Sequence, residues 1–273
     1  MDNQKVALVT GASSGIGKAI AQTLAKRGYV VYGTSRSADY ETICEDGIAY
    51  TMLPLTLEDE ETIARAVQYV IRRHGRIDVL VNNAGTGYAG AIEETTAQEA
   101  QEQFDVCFFG AVRMLNHVLP YMRAAGRGVV INVGSLGARF PVPFQAMYCA
   151  AKAAIFSLTV ALRLELAPFG VRACVIEPGN TRTDIIARRR YAAKTYRTAY
   201  RQPLERSLGV INSYIAACSP EQCAQLALRV AGMKNPPARV TPGFRYKCLY
   251  VISRFAPWRL KEWIIRRVYL NGK

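Results

Sequence analysis

The sequence predicts an α/β protein organised as a doubly wound parallel sheet, and three observations carry that prediction. Short runs of β-branched and apolar residues alternate with longer stretches whose apolar residues recur at helical spacing. Glycines, asparagines and hydroxyls gather where the short runs end, which is where an open parallel sheet binds its ligands. No Gly/Ser linker or compositional break divides the 273 residues, half of them hydrophobic, and the length suits one large α/β domain over 1–273 as well as two small ones.

Residues 6–10 read as the first strand, followed at once by Gly11-Ala12-Ser13-Ser14-Gly15-Ile16-Gly17 and a helical pattern over 18–27. A glycine-rich turn between strand and helix lets the backbone approach a pyrophosphate whose charge meets the helix N-terminal amides. Gly11, Ser13, Ser14, Gly15, Ile16 and Gly17 are therefore candidate cofactor-binding residues, the plain alternative being an ordinary tight turn. Residues 30–34 form the second strand. An acidic side chain after it would bind a ribose 2′-hydroxyl and repel a 2′-phosphate. Ser35-Arg36-Ser37 stands there instead, so Arg36 points to NADP in preference to NAD, with Asp39 close by.

A third strand at 49–53, a helix at 59–73 and a fourth strand at 77–81 lead to Asn82-Asn83-Ala84-Gly85, where small residues leave room for a cofactor and steady the sheet edge. These residues suit a simple turn equally well. One long helix is expected over 96–123, then a buried strand over 128–133 that ends at Gly134-Ser135. The helical stretch 146–167 follows, stopped by Pro168 and Gly170. A last strand at 171–176 closes at Glu177-Pro178-Gly179-Asn180-Thr181-Arg182-Thr183.

On the helix from 146, Tyr148 and Lys152 are i and i+4, about one turn (roughly 6 Å) apart, and Ser135 can face them from the strand exit. A phenol needs about 4 kcal/mol of phenolate stabilisation to lose ~3 pKa units. An ammonium one turn away, with bound cofactor, supplies much of that, so Tyr148 can exchange a proton with a substrate oxygen held by Ser135. Taken alone the three read more readily as a core aromatic, a solvated lysine and a strand cap.

Thr10-Gly11-x-x-x-Gly15-x-Gly17, Asn82-Asn83-Ala84-Gly85, Ser135, Tyr148-x-x-x-Lys152 and Pro178-Gly179 in this order resemble the short-chain dehydrogenase/reductase family over nearly the whole chain. The resemblance implies a single Rossmann domain, NAD(P), and hydride transfer between nicotinamide and a carbonyl or alcohol carbon. Tyr148 would be the acid/base, Ser135 would orient the oxygen, and Lys152 would bind the nicotinamide ribose and lower the tyrosine's pKa. Asn83, Ala84, Gly85, Pro178, Gly179, Thr181 and Thr183 would line the cofactor. Two positions depart from the family: Cys107 stands where a relay asparagine is usual, and Thr56 where an aspartate toward adenine is usual. The first motivates slower turnover or a rerouted relay, and an alternative reading as a cofactor-binding regulatory or scaffolding member. Family members commonly pair through their long helices, so a homo-oligomer is expected.

Substrate specificity is expected in a lid over 184–218, including Ile185 and Tyr191, and in an opposite wall of Arg139, Phe140, Val142 and Phe144. Its apolar character suits a hydrophobic ketone or aldehyde and its alcohol, while the tyrosines among arginines suit an acidic end on such a substrate or, as is expected for most of the arginines, a solvated amphipathic helix. Residues 104–120 and Arg245-Tyr246 are similar to the hydroxysteroid and retinol dehydrogenase branch, which implies a steroid, retinoid or other lipid-like substrate.

A formal charge of +14 with basic clusters at 188–190 and in the last thirty residues suits an anionic ligand or surface. Nucleic acid is not expected, since no reading module accompanies the charge. Seven cysteines without a C-x-x-C argue for reduced thiols in the cytoplasm, and two histidines argue against a metal site. The opening residues carry no leader pattern, and no apolar run approaches the ~18 residues of a spanning helix. The C-terminal extension, 239–273, holds a basic amphipathic helix after Pro257, suited either to packing on the body or another subunit, or to peripheral membrane contact.

Overall fold

A computed structural model of the chain describes residues 4–183, 188–194, 198–213 and 218–270. Its strands are β1 (Val6–Thr10), β2 (Val30–Ser35), β3 (Thr42–Glu45), β4 (Ile48–Pro54), β5 (Val79–Asn82), β6 (Tyr88–Ala89), β7 (Gly128–Val133), β8 (Val171–Ile176), β9 (Arg190–Tyr191) and β10 (Arg239–Val240). The helices are α1 (Gly15–Lys26), α2 (Glu60–His74), α3 (Ala97–Phe104), α4 (Gly110–Ala124), α5 (Ala146–Leu166), α6 (Arg201–Asn212), α7 (Pro220–Gly232), α8 (Phe244–Phe255) and α9 (Trp258–Tyr269). Eight strands make one sheet in the order β10-β8-β7-β5-β1-β2-β4-β3, parallel except for β3. The order reverses around β1, so the crevice between the ends of β1 and β5 is the place for a ligand.

The strands read as continuous apolar runs because both faces are covered. Alternate residues of one strand go to opposite layers. Ala7 and Val9 pack with Ile20 and Leu24 of α1 and Val230 of α7. Val6 and Leu8 pack with Ile63 and Val67 of α2, Met114 of α4 and Leu162 of α5. The buried polar groups between the layers are joined across elements: Asn82 of β5 donates to Asn132 of β7 (2.9 Å), which donates to Thr159 of α5 (2.7 Å).

Four expectations change. The third strand gains an antiparallel partner, β3, turned through Asp46 and Gly47, both at positive φ. The expected helix over 96–123 is two helices separated by a π turn, Asp105–Phe109. The expected extension begins inside the sheet, since Arg239–Val240 pairs with β8. Residues 146–169 are long and apolar enough, by length and composition, to cross a membrane, which the sequence reading did not expect. That stretch is a working part of the domain: α5 packs on β8 and buries Lys152.

Candidate active site

At the end of β1 the chain turns through Gly11 and Gly15, both at positive φ (66° and 55°). Gly17 is required by space. A Cβ there would lie 2.2 Å from the Gly11 carbonyl oxygen and 2.4 Å from Asn83 Nδ2. Asn83 follows the carboxyl end of β5, half-buried, as the sequence reading placed it. Its side chain donates to Thr10 O (2.9 Å) and Gly11 O (3.2 Å), and the amides of Asn83 and Ala84 both donate to Thr10 Oγ1 (3.0 Å each). The two loops are thereby fastened into one cradle.

The helix that leaves this cradle differs from others in the molecule. α2 is capped by Asp59 with Glu60 and Glu61 in its first turn, and α3 and α7 carry reciprocal capping boxes, Thr96 with Glu99 and Ser219 with Gln222. α1 has no side-chain cap from Ser14 and no acidic residue in its first turn. Its amides stay available for an anion, and no carboxylate opposes one. Thr183 comes to the same place, its Cγ2 3.1 Å from where a Cβ of Gly15 would be. Ser13 and Arg36 are exposed at the ends of β1 and β2. The cradle fits a dinucleotide: glycines where the backbone must approach a pyrophosphate, bare amides for its charge, and a guanidinium at the second strand's end.

Ser135 and Tyr148 meet as expected. Ser135 accepts from the Gly137 amide (3.0 Å), and its hydroxyl is hydrogen-bonded to the Tyr148 phenol. Lys152 is buried, donates to Val133 O (2.8 Å) and lies 5.9 Å from the Tyr148 ring centre. Burial pushes the phenol well up, opposed by the Ser135 hydrogen bond and, more weakly, by the charge of Arg189. Burial also pulls the Lys152 ammonium down, opposed by Cys107.

Cys107 stands in the middle turn of the π segment, with its thiol beside Gly85 and Lys152. It is saturated locally: Gln103 donates to Sγ (2.9 Å), Thr86 N donates to it (3.4 Å), and the thiol donates to Thr86 O (3.5 Å). A cavity of about 10 Å³, lined by Cys107, Lys152, Thr10 and Asn82 among others, lies next to it. That is near the smallest volume that holds one water.

The expected walls are partly reassigned. Arg139 commits its guanidinium to the buried Glu177 (2.8 Å), which also has Arg239 at 3.6 Å, and so forms a strut under β7 and β8 in place of a substrate wall. Phe144, at φ 66°, packs with Ala89, Leu204 and Leu208 and sets its ring edge-on to Tyr200, joining α6 and the residue before it to the body. Val142 is tied through its amide to Cys149 Sγ (3.4 Å), and Phe140 is half-buried nearby. Tyr191 is 37% exposed on β9. Ile185 lies outside the described residues.

Pro178 O accepts from Leu136 N (2.9 Å), and Thr181 Oγ1 donates to Gly179 O (3.1 Å). Three residues of the site carried no local sign of it. Arg189, from the basic cluster, is buried and donates to Asn212 (3.3 Å). Tyr246 of α8 lays its ring where a Gly179 side chain would be, 2.2 Å from the position of a Cβ, and its hydroxyl donates to Asn180 O (3.4 Å). Gln103 is visible only as the residue one helical turn before Cys107.

A sheet of this order with this cradle and this Ser, Tyr and Lys set defines an oxidoreductase of the nicotinamide-dependent Rossmann class. The short chain dehydrogenase family matches residues 5–194, and the chain belongs to it. Its members act on carbonyl and alcohol groups with a nicotinamide cofactor. The chain is 35% identical over 268 residues to a 3-ketodihydrosphingosine reductase of Bacteroides thetaiotaomicron, covering 97% of this chain and 98% of that protein. A short-chain dehydrogenase of Streptomyces avermitilis superposes with a TM-score of 0.80 at 30% identity, covering 96% of this chain and 97% of the other. One from Burkholderia cenocepacia, in complex with NADP, gives 0.74 at 25% identity with 96% and 98% covered. These matches support the family; the finer resemblance to the hydroxysteroid and retinol branch rests on the sequence alone.

Proposed function

We propose that the protein is an NADPH-preferring reductase of a long-chain, lipid-like ketone. The observation that carries the chemistry is the Tyr148 phenol held by Ser135 over a buried Lys152. The cofactor, when bound, supplies the hydride. The chain's own groups handle the oxygen: Ser135 orients the carbonyl, Tyr148 gives it the proton, and Lys152 stays within reach of the ribose and of the small cavity from which the proton is replaced. Gly11, Ser13, Ser14, Gly15, Ile16, Gly17, Asn83, Ala84, Gly85, Pro178, Gly179, Thr181 and Thr183 would line the dinucleotide, and Arg36 favours a 2′-phosphate. The nearly full-length likeness to a ketosphingoid reductase supports the lipid-like class.

A second reading of the substrate has its own observation. Arg189 is a buried cation whose charge reaches Tyr148, which favours a ketone with an acidic end over one with an ammonium.

The test follows NADPH and NADH oxidation with 3-ketodihydrosphingosine, a long-chain 3-keto acid, a ketosteroid and a retinal. Turnover of a long-chain ketone with NADPH, reduced about 10²- to 10⁴-fold by Tyr148→Phe with NADPH binding intact, is expected. Turnover of the steroid or retinal alone, or equal use of NADH, overturns the reading. With Cys107→Asn, kcat should rise while the KM for NADPH stays put; an unchanged kcat would show that the relay by way of Lys152 and the Asn82 cavity already suffices.

A further inference from the structure

The C-terminal helices α8 and α9 carry more exposed apolar surface than a folded body leaves without reason. Among the described residues, eight of the fifteen exposed large apolar side chains fall at positions 244–268, less than a tenth of the chain. Phe244 is 80% exposed, Phe255 77%, Trp258 57% and Trp263 56%. The same stretch, through 270, has seven lysines and arginines and one glutamate. Cations and rings sit side by side, Lys261 over Trp258 (6.0 Å) and Arg267 over Trp263 (5.6 Å), so both reach the same depth from the surface.

The two helices are nevertheless fixed at one edge. Tyr246 fills the place left by Gly179, while Ile264, Ile265 and Tyr269 are the half-buried edge of α9, which packs on α6 of the lid. Tyr269 lies close enough to Cys149, the neighbour of Tyr148, to feel its charge. One edge thus holds the lid and the catalytic helix, while the other faces outward with tryptophan, phenylalanine and arginine.

We propose that these two helices dock the protein on an anionic lipid surface and set the mouth of the substrate site against it. Tryptophan and arginine together suit the boundary between headgroups and acyl chains, where rings lie at the headgroup level and long basic side chains reach the phosphates. A second copy of the chain is a poor occupant, because a two-fold contact through this face would bring six net positive charges against six. An anionic bilayer supplies the opposite charge along both helices. Docking rests on α8 and α9 alone; only delivery of substrate from the bilayer rests on the lipid-like ketone proposed above.

The experiment is flotation of the full chain with phosphatidylcholine vesicles, with and without phosphatidylglycerol, beside turnover of a small water-soluble ketone and of a long-chain ketone dissolved in the vesicles. Flotation with the anionic vesicles is expected, weakened about a hundredfold by neutralising Arg245, Arg259 and Arg267 to glutamine. Trp258→Ser with Trp263→Ser should also weaken it, and both variants should turn over the small ketone as the parent does. Anionic vesicles should speed turnover of the embedded ketone in the parent only. No flotation, flotation untouched by both sets of substitutions, or a dimer that the tryptophan variant dissociates would each overturn docking. Flotation as expected with no long-chain ketone turned over would leave docking standing and remove the substrate reading.

Discussion

The carboxyl ends of β1, β2 and β5 are finished in backbone and small uncharged side chains, whereas those of β7 and β8 are finished in buried ionisable groups. On the first side Thr10, Asn83 and three glycines shape the surface, and the one strong charge, Arg36, stays in solvent. On the second, Lys152, Glu177 and Arg189 are each less than a tenth exposed. The difference matches two tasks. A pyrophosphate is held by many weak dipoles that need only room, while a proton transfer needs a group whose pKa is set by burial and by neighbours.

Three substitutions test the contrast. The largest effect is expected from Gly17→Ala, which forces a methyl into the Gly11 carbonyl and costs about 1–3 kcal/mol in overpacking. NADPH affinity should fall more than about a hundredfold and the Tm by several degrees, read by fluorescence titration and thermal melting. Parental affinity would mean that the cradle is not shaped by space. Next comes Arg36→Ser, where one charge-assisted contact is lost and the NADPH KM should rise about tenfold or more while the NADH KM holds. Equal changes for both cofactors would place the 2′-phosphate elsewhere.

The smallest effect is expected from Arg189→Met, read as a pH profile. The positive charge of Arg189 lowers the Tyr148 phenol, so its removal raises that pKa further. Ketone reduction needs the protonated phenol and is lost as pH rises through its pKa. The alkaline limb should therefore move up, by about one unit at most, and alcohol oxidation, which needs the phenolate, should slow at a given pH below it. An unmoved limb would mean that Arg189 acts on substrate alone.

The same contrast explains what the sequence disclosed. Gly11, Gly15 and Gly17 are readable because backbone geometry admits no other residue there, and Tyr148 with Lys152 because helical spacing is local. Arg139 was misread because its partner, Glu177, is 38 residues away, and nothing in Arg-Phe-Pro-Val-Pro tells a strut from a wall. Arg189 looks like its exposed neighbours Arg188 and Arg190 until the lid buries it. Thr42–Glu45 was missed since a four-residue edge strand with alternating exposure gives little apolar signal. The helix break at 105–109 was missed because a π turn keeps the helical composition and changes only the count.

That count has a consequence of its own. A π turn holds one residue more than the α-helix around it, so deleting a single residue from Asp105–Phe109 would let α3 and α4 fuse into one regular rod. Everything before the deletion would then rotate by about 100° relative to α4. Gln103 would swing off Thr86, and the thiol at 107 would leave Lys152. The spare residue acts as a phase shifter, letting one helix present its core stripe to β5 and β7 and, earlier in the chain, a different stripe to the catalytic helix.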